Sequence, residues 1–177
     1  MKKKILAISG STRNNSTNSY LINAVIDLYK DRLDFIIYKG LTELPHFNPD
    51  LDQEPFPETV VEFRKELKEA DGILICTPEY AMGVPGTLKN AIDWTVSSAE
   101  FSKKPVALIT ASSVGEKAHE SLLGTLRVIE AKIEESSALL ISFAKTKINS
   151  ENKITDAETA EKIKMLMNNF IKVTGEN

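Results

Sequence analysis

The chain has a single cysteine, little net charge and no long apolar stretch, and each of these absences excludes a class of protein. One cysteine among 177 residues allows no disulfide within the chain, which suits a reducing cytosol. A formal net charge of −3 argues against a nucleic-acid partner. The two histidines, His46 and His119, are far apart in sequence and form no metal-binding set with Cys76. We therefore expect no metal site.

The amino-terminal segment resembles neither a secretion signal nor a membrane anchor. Three lysines, Lys2 to Lys4, precede only four apolar residues, Ile5 to Ile8. A signal peptide needs roughly 7–15 apolar residues at this point, and a membrane-spanning helix needs roughly 18. We expect a protein with no membrane association, located in the cytoplasm.

Short apolar runs alternate with helical patterns along the whole chain, which fits a single domain over residues 1–177. Strands are predicted at 5–8, 35–38, 72–76, 105–110 and 138–143. Helices are predicted at 18–29, 59–70, 85–98 and 116–131, with a last helix opening at a capping box formed by Thr155 and Glu158. Apolar strands joined by helical crossovers indicate an α/β fold with a parallel sheet covered on both faces.

The loop after the first predicted strand, Gly10 to Ser19, carries the chemistry of an anion site. It leads into a helix N-terminus, where free backbone N–H groups and a partial positive charge favour an anion. Its hydroxyls can donate to phosphate oxygens, and Arg13 offers a permanently charged two-pronged donor. The segment matches neither a Walker loop nor a Gly-x-Gly-x-x-Gly dinucleotide loop. An ordinary loop with a helix cap is the alternative, and Arg13 favours the phosphate site.

The loop after the third predicted strand has the composition of a platform for a flat ligand. Two glycines and two prolines fix an unusual backbone between Thr77 and Gly86, and Tyr80, Met82 and Val84 are apolar. Ligands of open parallel sheets bind where the strand order reverses. In the common flavodoxin-like order 2-1-3-4-5 that point lies between strands one and three, and these are the strands that the two loops follow. A phosphate site and a flat apolar platform at that point describe the two ends of FMN.

At these two loops the sequence resembles the NADPH-dependent FMN reductase family, which includes azoreductase-like, quinone reductase-like and chromate reductase-like members. The segment GSTRNNSTN is similar to the family's phosphate signature, and TPEYAMGVPGTLKNAIDW is similar to its longer and more specific second signature. The resemblance implies a flavodoxin-like three-layer sandwich with a five-stranded parallel sheet in the order 2-1-3-4-5.

The resemblance also implies the residues that bind FMN, which come from three loops. The phosphate group would be bound by Ser11, Arg13, Ser16, Thr17 and Asn18. The isoalloxazine ring would contact Pro78, Glu79, Tyr80, Ala81, Met82 and Gly83, with a third loop contributing Ser112, Ser113 and Gly115. Ala81 stands where the family usually has asparagine, so one side-chain polar contact of the loop is missing. Glu79 is expected to have a structural or interface role, and His46 is a minor candidate for lining the site.

The implied activity is a ping-pong, two-electron reduction of a small acceptor by NADPH or NADH, with flavin N5 carrying the chemistry and no catalytic side chain. Quinones, azo compounds, free flavins and metal oxyanions are all admissible acceptors, and a homodimer or homotetramer is implied. Three alternatives stay open: a flavodoxin-type electron carrier, a flavin-binding module without turnover, and another phosphate-ligand enzyme on the same fold.

Overall fold

Five apolar segments of the chain form the strands of one parallel sheet in a computed structural model that describes residues 2–175. The strands are β1 (Lys3–Ser9), β2 (Leu33–Tyr38), β3 (Gly72–Thr77), β4 (Val106–Ala111) and β5 (Ala138–Ile141). Every neighbouring pair is parallel, and the order is β2-β1-β3-β4-β5. The predicted fold class and strand order are thus confirmed, and the order reverses between β1 and β3.

Helices cover both faces of this sheet, because strand residues alternate between two apolar cores. The helices are α1 (Thr17–Tyr29), α2 (Glu58–Glu69), α3 (Gly86–Asp93), α4 (Glu116–Val128) and α5 (Ala157–Thr174). In β1, Ile5 and Ala7 pack in the core under α1 and α5, whereas Leu6 and Ile8 pack in the core under α2, α3 and α4. All residues of β3 and β4 are buried, as expected for central parallel strands.

Several element ends differ from the sequence-based expectation; helix α4, for example, ends at Val128 instead of residue 131. Three other differences each have a specific structural cause. Helix α3 ends at Asp93 instead of residue 98, and the Trp94 carbonyl accepts from the Arg64 guanidinium instead of a helical N–H. Strand β5 ends at Ile141 instead of 143, since Phe143 adopts a left-handed conformation at φ 55°. Helix α5 is capped by Asp156, whose carboxylate accepts from the Thr159 N–H at 2.8 Å. The expected cap residue Thr155 is therefore wrong by one position.

The second half of the long signature segment joins α3 to the loop after β2. Leu88, Ile92 and Trp94 are all at most 1% exposed and belong to the core. Asn90 donates from Nδ2 to the Pro45 carbonyl at 2.9 Å and accepts from the Phe47 N–H at 2.7 Å. The Trp94 indole N–H donates to the same Pro45 carbonyl at 2.8 Å. This part of the signature is scaffold that anchors a neighbouring loop.

Candidate functional site

The loops that follow β1, β3 and β4 meet at the carboxyl edge of the sheet and enclose a cleft of about 150 Å³. Most of the residues expected to bind FMN line it, namely Ser11, Arg13, Ser16, Thr17, Asn18, Pro78, Glu79, Tyr80, Ser112 and Ser113. Ala81, Met82, Gly83 and Gly115 do not line it, and neither does His46, which is exposed. The sequence therefore located the loops correctly, while the binding role of each residue stays a prediction.

The N-terminus of α1 lines the cleft, where the sequence predicted a phosphate site. Ser16 caps the helix, because its Oγ accepts from the Ser19 N–H at 3.0 Å. The N–H groups of Thr17 and Asn18 have no hydrogen-bond partner within residues 2–175. Ser11 is buried beside them and Arg13 is exposed at the mouth. Free helical N–H groups, hydroxyls and a guanidinium are the donors that a phosphate site uses.

The side chain of Asn18 points away from this end and into the protein. Its Nδ2 donates to the Ala111 carbonyl at 3.2 Å, and its Oδ1 accepts from the Cys76 thiol at 3.2 Å. Asn18 is 3% exposed, so its amide joins α1 to both β3 and β4. Burial raises the pKa of the Cys76 thiol, which keeps this group protonated as a donor. Only the backbone N–H of Asn18 remains for a ligand.

A tight hairpin turn at Tyr80–Gly83 extends from the rim of the cleft. Tyr80 and Gly83 exchange two backbone hydrogen bonds, at 2.8 and 3.0 Å. The central residues Ala81 and Met82 both have positive φ, at 48° and 63°, which is the signature of a type I′ turn. Ala81 thus occupies a backbone conformation that favours asparagine or glycine, which gives the family's usual asparagine a conformational role as well as a polar one.

Glu79 holds the loop after β3 against the start of α4. Its Oε2 accepts from the Ala118 N–H at 2.9 Å, and its own N–H donates to Ser112 Oγ at 3.2 Å. A carboxylate at a helix N-terminus is favourable, and α4 has no side-chain cap of its own. The residue before the helix, Gly115, has φ 98°. The expected structural role of Glu79 is therefore supported by its hydrogen bonds within the chain.

The loop after β5 contributes to the cleft through Ala144 and Lys145, which sequence reasoning missed together with Ala111. Phe143 N–H donates to the Ser113 carbonyl and Ala144 N–H to the Ser112 carbonyl, both at 3.0 Å. Since all strands of a parallel sheet end at the same edge, the segment after β5 had to lie near the loop after β4. The prediction that the fifth strand runs to residue 143 placed the start of this segment inside the strand, so its position beside the cleft was missed.

Exposed apolar side chains lie on the same loops that line the cleft, on or beside its lining residues. Tyr80, Met82, Val114 and Phe143 are 47, 70, 53 and 67% exposed, respectively. An apolar rim of this kind gains free energy when a flat ligand or another protein surface covers it. The cleft therefore combines the donors that an anion needs with neighbouring apolar surface, which is the chemistry expected for the phosphate and the isoalloxazine of FMN.

Other kinds of site find no support within residues 2–175. No group of three or more histidine, cysteine, aspartate or glutamate side chains there could hold a metal ion. No helix in the same range has the length and apolar character needed to cross a bilayer. His119 is half-buried, and its Nδ1 lies 2.9 Å from Thr110 Oγ1. Burial lowers the pKa of His119.

Comparisons with known proteins agree with this geometry. An NAD(P)H-dependent FMN reductase of Pseudomonas aeruginosa is 33% identical over 165 residues, covering 90% of this chain and 89% of that protein. A 2-hydroxy-1,4-benzoquinone reductase of a Burkholderia species is 30% identical over 178 residues, covering 96% and 95%. The solved structure of a flavoenzyme NAD(P)H:(acceptor) oxidoreductase from Paracoccus denitrificans superposes with a TM-score of 0.84 at 25% identity, covering 97% of each chain. The family model described as NADPH-dependent FMN reductase matches residues 3–146. This chain belongs to the NADPH-dependent FMN reductase family.

Proposed function

We propose that the protein is an FMN-dependent NAD(P)H oxidoreductase that reduces a small acceptor by a ping-pong mechanism. One observation carries the proposal: a single cleft joins the free N–H groups of α1 to an apolar rim on the loops after β3, β4 and β5. The reductase names of the relatives support the same activity. When bound, FMN supplies the redox chemistry, taking two electrons from the nicotinamide and passing them to the acceptor.

The phosphate end of the cleft would be held by backbone and side-chain donors together. The N–H groups of Thr17 and Asn18 point from a helix N-terminus, and Ser11 and Ser16 place hydroxyls beside them. Arg13 adds a full positive charge that has no ion pair within residues 2–175. A charge-assisted hydrogen bond contributes about 1.5–3 kcal/mol, so Arg13 is the strongest single contributor we expect.

The ring end would be held by Pro78, Tyr80, Ser112 and Ser113, with the Tyr80–Gly83 turn and Gly115 shaping the surface around them. We assign no catalytic side chain. Glu79 is already bonded to the Ala118 N–H, and His119 is turned toward Thr110. The Tyr80 side chain that lines the cleft is 47% exposed, so a ring bound beside it would stay open to co-substrate and acceptor.

Quinones, azo compounds, free flavins and metal oxyanions are the acceptors we propose, since an open flat site selects mainly for size and planarity. We also propose that residues 1–177 form one FMN-binding domain that works in the cytoplasm, where its nicotinamide co-substrates are held. A homodimer or homotetramer is proposed because Met82 and Phe143 leave a large apolar surface beside the cleft.

Reduction of the purified protein by a nicotinamide tests the proposal. We expect bound FMN by absorbance, loss of that absorbance on adding NADPH or NADH without oxygen, and its return on adding a quinone. Arg13→Ala should lower FMN affinity, whereas Arg127→Ala, which removes an equal charge at the far end of α4, should not. Flavin that binds but resists both nicotinamides would contradict the reductase activity and favour an electron carrier.

A further inference from the structure

Among the described residues, two cations line the cleft, Arg13 and Lys145. Lys145 lies in the loop after β5, outside both segments that resemble the family's signatures and outside the three loops expected to bind FMN. Neither cation has an ion pair or a side-chain hydrogen bond within residues 2–175. Glu79 also lines the cleft, but its Oε2 accepts from the Ala118 N–H. Both cations are therefore available to an anion in the cleft.

A turn whose backbone is fixed by hydrogen bonds carries Lys145 at the cleft. Ala144 is buried, and its N–H donates to the Ser112 carbonyl at 3.0 Å. The N–H groups of Lys147 and Ile148 both donate to the Ala144 carbonyl at 3.1 Å, which closes the turn around Lys145. The Lys145 side chain itself is exposed. Binding of a ligand by Lys145 therefore orders a side chain and leaves the backbone as it is, which limits the entropy cost.

Hydrogen bonds connect this turn to the N-terminus of α1. Asn18 donates from Nδ2 to the Ala111 carbonyl at 3.2 Å, and the next carbonyl along β4, that of Ser112, accepts from the Ala144 N–H. The end of β4 thus holds the start of α1 and the residue before Lys145 at adjacent positions. Helices α1 and α5 also pack in the same core, so the loop that leads from β5 to α5 lies on the α1 face of the sheet. Lys145 therefore lies near the free N–H groups of α1, which Arg13 approaches from a different loop.

A terminal phosphate needs more positive charge than Arg13 alone supplies. A phosphate monoester carries about −1.5 to −2 charges at pH 7, because its second pKa is about 6. We propose that Lys145 is the second cation of the phosphate site and binds the terminal phosphate of FMN together with Arg13. The inference rests on the proposed function, because it takes that phosphate to lie at the N-terminus of α1. Lys145 thereby makes the cleft selective for FMN over riboflavin, which has the same ring and no phosphate.

Fluorescence titrations of the flavin-free protein with FMN and with riboflavin test this role. Lys145→Met removes the charge and keeps the aliphatic chain, so we expect FMN binding to weaken about tenfold and riboflavin affinity to stay within about twofold. Lys145→Arg keeps the charge and should bind FMN within about threefold of the unchanged protein. Lys147→Met is the matched control, since it removes the same charge two residues farther on, outside the lining of the cleft, and should change neither affinity. Because Lys145 is exposed, the effect of Lys145→Met should shrink as salt is added.

The outcomes separate this inference from the proposed function. If FMN binds and Arg13→Ala weakens it, but Lys145→Met leaves FMN affinity unchanged or weakens both flavins equally, the role of Lys145 is refuted and the FMN site stands. An equal loss of FMN affinity in Lys147→Met would show a long-range effect of charge and would also refute a contact with the phosphate. If neither flavin binds, both proposals fail. Unchanged FMN affinity with a raised KM for NADPH in Lys145→Met would assign Lys145 to the co-substrate and overturn our proposal.

Discussion

The turn at Ala81–Met82 leads to a prediction in which stability and ligand affinity change in opposite directions. Each L-residue in the left-handed region costs roughly 1–2 kcal/mol, and this turn contains two. Asn-Gly is the preferred pair for a type I′ turn. Replacing Ala81→Asn and Met82→Gly together relieves most of that strain, while the new glycine adds about 1 kcal/mol of conformational entropy to the unfolded chain. We expect a net gain of about 1 kcal/mol.

For a chain of this length, that gain raises Tm by about 2–4 °C, which thermal unfolding of the flavin-free protein measures directly. FMN affinity should fall, because Met82 is 70% exposed on the apolar rim and glycine removes that surface. Ala99→Gly is the matched control, since Ala99 is exposed, has φ 59° and lies in the segment between α3 and β4, outside the loops that line the cleft. It should gain stability without a change in FMN affinity. An unchanged or lower Tm for the Asn-Gly variant, with a higher one for Ala99→Gly, would refute the assigned turn.

Three further substitutions test other parts of the structure. Gly10→Ala should lower the free energy of unfolding by about 3 kcal/mol in urea titrations, because a Cβ there would lie 2.3 Å from Thr77 Oγ1 between two buried strand ends. Ser16→Ala should lower stability by about 1 kcal/mol through loss of the α1 cap, and fluorescence titration should show weaker FMN binding with riboflavin binding unaffected. His119→Asn should reduce the loss of stability on acidification. Burial holds the folded pKa of His119 below its unfolded value near 6.5, so the unfolded state takes up the proton first and stability falls as pH drops below about 6.5. Equal acid sensitivity of both proteins would contradict this.

Sequence patterns predicted the strands well where every residue is buried. They predicted the ends of elements poorly where a single hydrogen bond sets the end. Strands β3 and β4 are buried throughout and apolar except for Thr77 and Thr110, so their pattern was unambiguous. Ser142 and Phe143 continue the pattern of β5, yet the hydrogen bond from the Phe143 N–H to Ser113 takes them out of the strand. Periodicity carries no information on which strands are neighbours, so the strand order came from the family resemblance and not from the residues alone.

Within the site, the loops could be predicted from the sequence but the roles of several side chains could not. The motif assigned Asn18 to the phosphate, whereas its amide is bonded to Ala111 and Cys76, both distant in sequence. Gly83 marked a turn correctly, but the positive φ values fall on Ala81 and Met82, which have no intrinsic preference for them. Glu79 was expected to be structural, and only the folded chain identifies its partner as the α4 N-terminus.

The Asn90 amide pairs with a carbonyl and an N–H of the segment after β2, as a neighbouring strand would. A side chain on a rigid helix therefore fixes the path of the chain at Pro45 and Phe47, and the Arg64–Asp52 ion pair at 2.7 Å fixes it again farther on. The residues between Phe47 and Asp52 therefore form a segment whose two ends are both fixed to helices. This segment can be exchanged between homologues to vary the surface while the sheet and its helices stay unchanged.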